Sequence, residues 1–141
     1  MRLLGLALLS TGFLSADLEK VKAEPNAEKR SRAALDHAAQ AFKLARQQYG
    51  SGDLRRTESL LDEMLAAVEL ADSSLRSTGK DARRSPKHFK KAEIELRELL
   101  RKLDNFEQDL AVEDRYLTSR PRERIRHLHE ELLLGILGGR K

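Results

Sequence analysis

The sequence predicts an all-α fold, an antiparallel helical bundle of three long helices plus a C-terminal fourth helix. Apolar residues make up 40% of the chain and charged residues 35%, with only 3 prolines in 141 residues. Such a balance is typical of long amphipathic helices. Apolar residues also recur at alternating spacings of three and four, which is the period of one helix face. A chain of this length is expected to form one domain.

Residues 1–16 have the order of a secretory signal peptide. A positive charge precedes an apolar stretch at residues 3–14, and small residues follow it. The apolar stretch would cover about 18 Å as a helix, less than a hydrocarbon core about 30 Å thick, so a membrane anchor is the weaker alternative. We therefore expect a periplasmic or secreted protein with no transmembrane span after signal cleavage. Cleavage after Ala16, cleavage after Ala23 and a retained leader remain alternatives.

The first two helices are predicted by their start and stop signals. Residues 17–25 are polar and are expected to form a flexible lead-in to a bundle domain at residues 26–139. The first helix should run over residues 27–49 behind the N-cap Asn26. After a tight break, the second should run over residues 54–77. The short connection makes the two helices antiparallel neighbours.

The third helix has the longest apolar pattern of the chain. The third helix is expected to start at Pro86, and its apolar spacing of three and four continues from Phe89 to Leu117, interrupted only by Glu113. This span predicts a helix about 48 Å long. This helix would overhang its partners and pack against the fourth helix or another chain. Residues 118–121 predict a break, and the fourth helix is expected over residues 121–137. The expected core includes Phe42, Leu61, Leu65, Val68, Leu96, Leu99, Leu103 and Phe106.

Residues 41–68 carry a pattern that one repeat family shares. The residues of this pattern are Ala41, Leu44, Ala45, Tyr49, Gly52, Asp53 and Leu54. At these intervals they resemble the first helix and turn of a tetratricopeptide repeat. Thr57 stands where that family has Ala, and one copy is present although about three are needed to bury a core. The resemblance implies a helical hairpin with a role in protein binding, and a generic antiparallel hairpin is the alternative.

The sequence has no pattern typical of an active site, such as a Gly-rich phosphate loop or a Gly-x-Ser-x-Gly turn. Its carboxylates spread along the third helix, often four residues before a base, as Glu93 lies before Arg97. His127 and His129 are separated by about 200° on a helix, so they face opposite sides and cannot hold one metal ion. The chain also has no cysteine. We expect no enzymatic activity, no cofactor and no metal site.

Two clusters of basic residues at inter-helix turns are candidate partner-binding sites. The first contains Arg83, Arg84, Lys87, Lys90 and Lys91, and the second contains Arg120, Arg122, Arg124 and Arg126. Anionic lipid, a cell-wall polymer or an acidic protein would fit such charge. Nucleic acid is disfavoured, because the chain has no Trp and Phe89 belongs to the helix seam. Pairing with the acidic middles of the helices is the alternative that needs no partner.

The C-terminal helix is apolar on more than one face. Its seam consists of Ile125, Leu128, Leu132 and Ile136, and Leu133, Leu134 and Leu137 widen this seam beyond what one neighbouring helix covers. These three leucines are candidates for self-association, and an intramolecular wedge is the alternative.

The function expected first is an exported interaction or structural module that binds another protein, with homo-oligomerisation through the C-terminal helix as a further expectation. The alternative is an electrostatic binder of anionic lipid, cell-wall polymer or nucleic acid through the basic turns. No pattern in the chain identifies the partner.

Overall fold

The structure is a computed structural model that describes residues 17–138. Its four long helices are α1 (Ala27–Gly50), α2 (Leu54–Ser77), α3 (Lys87–Asp109) and α4 (Tyr116–Leu137). A 3-10 turn at Val112–Asp114 joins α3 to α4, and the described residues contain no strand. The all-α fold predicted from the sequence is confirmed. The predicted leader at residues 1–16 lies outside the described residues.

Helices α1 and α2 form an antiparallel hairpin with the most extensive helix packing in the molecule. Small side chains on α1 allow this close approach, because Ala34, Ala38, Ala41 and Ala45 are all fully or almost fully buried. Ser31 Oγ donates a hydrogen bond to the Ala71 carbonyl across the pair at 3.0 Å. The side chain of Asn26 accepts from the Lys29 backbone N–H, so the predicted N-cap of α1 is confirmed.

Helices α3 and α4 form a second antiparallel hairpin that lies beside the first. His129 Nε2 of α4 lies 3.1 Å from Glu93 Oε1 of α3, whereas Arg76 of α2 pairs with Glu131 of α4 at 2.8 Å. The order around the bundle is therefore α1–α2–α4–α3. Within residues 17–138, none of the helices combines the length and the apolar character that crossing a membrane requires.

Helix α3 is shorter than the sequence predicts. It has 23 residues and ends at Asp109, which corresponds to about 35 Å, so the predicted extension to Leu117 and the overhang are wrong. Leu110 and Leu117 are both buried, so the apolar spacing continues even though the backbone leaves the helix. The predicted seam residue Glu113 is exposed in the 3-10 turn.

The end of α3 is fixed by a side chain from α1. The backbone N–H of Ala111 donates to the hydroxyl of Tyr49 at 2.9 Å. The same hydroxyl donates to Asp114 Oδ2 at 2.9 Å. The first bond replaces the partner that a continuing helix would give the Ala111 N–H, and the second ties the side chain of Asp114 to α1, so both stabilise the turn.

Helix α4 begins at Tyr116 rather than at the predicted residue 121, and Pro121 lies inside it. Proline in a helix removes one backbone hydrogen bond. One face of this helix is nevertheless buried at Leu117, Pro121 and Ile125. The burial of these side chains offsets the lost hydrogen bond, so the helix continues through Pro121.

The buried residues agree with the core expected from the sequence, except at the edges of the core. Seven of the eight expected core residues are buried, and Leu65 is only partly buried at the margin. The expected flexible lead-in differs, because residues 17–22 are helical and Leu18 is only 7% exposed. The burial of Leu18 explains why residues 17–22 form a helix instead of a flexible segment. All buried apolar residues of the described chain lie between Leu18 and Leu132, so the core that the structure describes lies within residues 17–138.

Candidate binding surface at the basic end of the bundle

The sequence-predicted residues converge at one end of the bundle. At this end α2 finishes and α3 begins, and α1 begins beside them, because Glu28 lies 2.7 Å from His88. Helix α4 also finishes here, where Arg83 lies against Gly138. We define the basic end as residues 76–91 together with residues 133–138.

The loop between α2 and α3 is held against the end of α4 by close packing. The Asp81 side chain accepts from the Arg83 backbone N–H at 2.9 Å, which turns the loop. A Cβ atom on Gly135 would lie 3.6 Å from Ala82 Cβ, and one on Gly138 would lie 2.9 Å from Arg83 Cδ. The loop therefore packs directly on the end of α4, and Gly138 is the position where glycine is favoured, because its φ is 69°. This contact also brings a guanidinium to the negative end of the α4 dipole, which is favourable.

Two cations of the basic end are neutralised within the molecule. Arg76 forms ion pairs with Asp72 and Glu131, each at 2.8 Å, and the hydrogen bond to Asp72 raises the pKa of Arg76. Lys80 forms an ion pair with Glu28, and its hydrogen bond lowers the pKa of that carboxyl group. Neither Arg76 nor Lys80 is therefore available to a partner without loss of these pairs.

Five other cations of the basic end are exposed and have no ion pair with any described residue. They are Arg83, Arg84, Lys87, Lys90 and Lys91. The only acidic residue in segment 76–91 is Asp81, whose side chain is engaged by the loop backbone. The first cluster predicted from the sequence is thus a surface of positive charge without ion pairs in the described chain. The closest compensation is at Glu28, where the hydrogen bond from Lys80 lowers the pKa most and the charge of Lys87 helps to lower it. We call these five cations uncompensated in this sense.

The second predicted cluster is mostly occupied by intramolecular ion pairs. Arg122 pairs with Glu107 of α3. Arg124 pairs with Glu69 of α2, and this hydrogen bond raises the pKa of Arg124. Arg126 pairs with Glu123 at 2.7 Å, and only Arg120 has no ion pair with a described residue. The alternative of internal neutralisation therefore describes this cluster, and it does not adjoin the first.

The candidate leucines of α4 lie at the basic end. Leu137 is 69% exposed and Leu134 is 39% exposed, while Leu133 is partly buried. The antiparallel pairing of α3 and α4 places this last part of α4 beside the first turns of α3. The predicted seam is buried at Ile125, Leu128 and Leu132, so packing within the bundle covers the seam but leaves two of the three added leucines open. The sequence predicts the basic cluster and the leucines as separate features, and the fold places them side by side at one end of the bundle.

Two further features of residues 17–138 are the histidines of α4 and a groove between α1 and α3. His127 Nε2 lies 3.1 Å from Glu131, whereas His129 faces Glu93, so the prediction that they face opposite sides is confirmed. Among residues 17–138, no group of three or more His, Asp or Glu side chains is placed to hold a metal ion. An open groove of about 630 Å³ lies between α1 and α3, with Phe42 at its base and Lys43 at its rim. The residues lining it include no Ser, Thr or His.

Comparison with protein-family models, curated proteins and solved structures found no match to this chain. The resemblance of residues 41–68 to a tetratricopeptide repeat therefore remains a prediction.

Proposed function

We propose that this protein is an exported interaction module without catalytic activity, and that it binds a polyanionic partner through the basic end. One observation carries the proposal: exposed cations cluster at one end of the bundle without carboxylate partners among the described residues. Arg122 and Arg124, by contrast, form ion pairs with acids of neighbouring helices. The proposal of export rests on the leader-like order of residues 1–16.

The position of the lysines on α3 supports a binding role over a stabilising one. Lys87 is the first residue of α3, Lys90 and Lys91 follow within the next turn, and the first turn of α3 contains no acid. The N-terminal end of a helix carries partial positive charge, so cations there are unfavourable by a few tenths of a kcal/mol each. Residues that oppose local stability are often explained by function. A polyanion would remove this repulsion.

The proposal can be tested by binding residues 17–141 to dextran sulfate, a soluble polyanion, over a range of salt concentrations. Binding should weaken steeply with salt, because added ions screen contacts between exposed charges. The triple variant Lys87→Gln/Lys90→Gln/Lys91→Gln should bind at least tenfold more weakly than the unmodified protein at low salt. Its salt dependence should also be shallower, because fewer counterions are released.

A matched control separates the position of the charges from net charge. Lys43, Arg55 and Arg120 are exposed and have no ion pair with a described residue, and they lie outside the basic end. The variant Lys43→Gln/Arg55→Gln/Arg120→Gln loses the same total charge and should retain most of the affinity. Equal losses in the two triple variants would show that only net charge matters and would contradict the proposal.

A further inference from the structure

Resting on the proposed function, we propose that the polyanionic partner is the surface of an anionic lipid bilayer. The bundle binds the bilayer end-on. Leu134 and Leu137 enter the interfacial region, while Lys87, Lys90 and Lys91 meet the phosphate groups. The observation that carries this step is the placement of exposed leucines beside uncompensated cations at one end of the bundle.

The leucines form a small apolar projection around the last turn of α4. Leu134 and Leu137 are three residues apart, so they lie on neighbouring positions of one helix face. Both are large exposed apolar side chains. A soluble polyanion has no apolar region that could bury these leucines, whereas the boundary between lipid headgroups and acyl chains removes them from water. Apolar side chains flanked by Lys and Arg are the pattern of segments that lie in that boundary.

The leucines and the cations lie at similar levels along the bundle. Leu137 is the last residue of α4, and Arg83 lies against the residue that follows it. Because His129 lies beside Glu93 in the antiparallel pair of α3 and α4, Leu134 is level with the first turn of α3. An end-on arrangement therefore brings both sets to the membrane surface together, where anionic lipids attract the cations.

The opposite end of the bundle also exposes apolar side chains, but its charge is mixed. Val112 is 73% exposed and Tyr116 is 57% exposed. Segment 109–115 beside them contains three acidic residues and one basic residue, Arg115. The acids weaken the attraction of this end to an anionic surface, so exposed apolar area alone does not select the binding surface.

Self-association through Leu133, Leu134 and Leu137 is the competing use of the leucines. In a two-fold symmetric dimer the same patch of each copy meets its mate. Such a dimer would bring the uncompensated cations of two copies together, and like charges in contact are unfavourable. A bilayer surface supplies the opposite charge instead, so the charges favour the bilayer.

The chain contains no tryptophan, so one introduced Trp can report insertion without background. Residues 17–141 carrying Leu137→Trp are mixed with phosphatidylcholine vesicles with and without phosphatidylglycerol. The fluorescence should shift to the blue only with the anionic vesicles. Val112→Trp, at the opposite end, should show no shift. No shift for Leu137→Trp, or equal shifts at both positions, would overturn the inference.

Vesicle sedimentation tests the energetic role of the leucines. Leu134→Ser/Leu137→Ser should bind anionic vesicles about tenfold more weakly, the loss expected when two partly buried leucine contacts are removed. Val112→Ser/Tyr116→Ser is the matched control and should bind like the unmodified protein. Circular dichroism should show the same helicity for each variant, because the substituted side chains are exposed.

The two proposals fail in different ways. If Leu134→Ser/Leu137→Ser binds both vesicles and dextran sulfate like the unmodified protein, the bilayer inference is wrong and the proposed function stands. If the unmodified protein binds neither probe, the proposed function is wrong as well. Analytical ultracentrifugation should show a monomer at tens of micromolar. A dimer that this leucine variant dissociates would assign the leucines to self-association and overturn the inference.

Discussion

Tyr49→Phe should destabilise the protein by releasing the turn between α3 and α4. The Tyr49 hydroxyl makes two hydrogen bonds of 2.9 Å, one from the Ala111 N–H and one to Asp114. A typical intramolecular hydrogen bond contributes about 0.5–1.5 kcal/mol, so the loss of both should lower the free energy of unfolding by about 1–3 kcal/mol. The phenylalanine ring would keep the edge-on contact with Phe106, whose ring centroid lies 5.6 Å away. The change therefore isolates the hydroxyl.

Urea unfolding followed by circular dichroism measures this effect. The chain has two tyrosines, and the other one provides a matched control. Tyr116 is 57% exposed, so Tyr116→Phe should change stability by less than about 0.5 kcal/mol. Asp114→Ala combined with Tyr49→Phe should cost less than the sum of the single changes, because they remove the same bond. The reasoning is refuted if Tyr49→Phe is no more destabilising than Tyr116→Phe.

Two further predictions concern the core and the charge of the basic end. Leu103 is 0% exposed, so Leu103→Ala should lower the free energy of unfolding by about 3–5 kcal/mol in urea; a loss below about 1 kcal/mol would contradict its place in the core. Glu28 has a pKa lowered from 4.5 by its hydrogen bond to Lys80, so its stabilising effect is present above pH 4.5 and is lost as pH falls through the lowered pKa. Glu28→Gln should therefore lower the melting temperature at pH 7 and have no effect at a pH below the lowered pKa of Glu28. A lower melting temperature of the variant at that acidic pH as well would contradict the ion pair. The same change frees Lys80 and should strengthen binding to dextran sulfate.

The helices were predictable because each has a local signal. The spacing of three and four marks the buried faces, and Asn26 and the short break before Leu54 mark ends that the chain itself determines. The end of α3 was not predictable in this way. Its cause is Tyr49, which is 62 residues from Ala111 and 65 from Asp114, while the apolar spacing runs on through Leu110 and Leu117.

The candidate site was predictable as two sets of residues but not as one surface. The sequence does not show that Lys90 is unpaired whereas Arg124 is paired. The partner of Arg124 is Glu69 on another helix, 55 residues away. The leucines and the basic loop meet because Ala82 and Arg83 pack on Gly135 and Gly138. Glycines at two positions of the last turns of α4 were visible in the sequence, but their contact with the loop depends on the three-dimensional order of the helices.

Lysine acetylation footprinting tests the central claim, that the basic end is the binding surface, most directly. Residues 17–141 are acetylated with and without saturating dextran sulfate, and the modified lysines are quantified by mass spectrometry. The account predicts that Lys87, Lys90 and Lys91 become protected while Lys43 and Lys102 react at unchanged rates. Protection spread equally over all these lysines, or confined to Lys43 and Lys102, would contradict it.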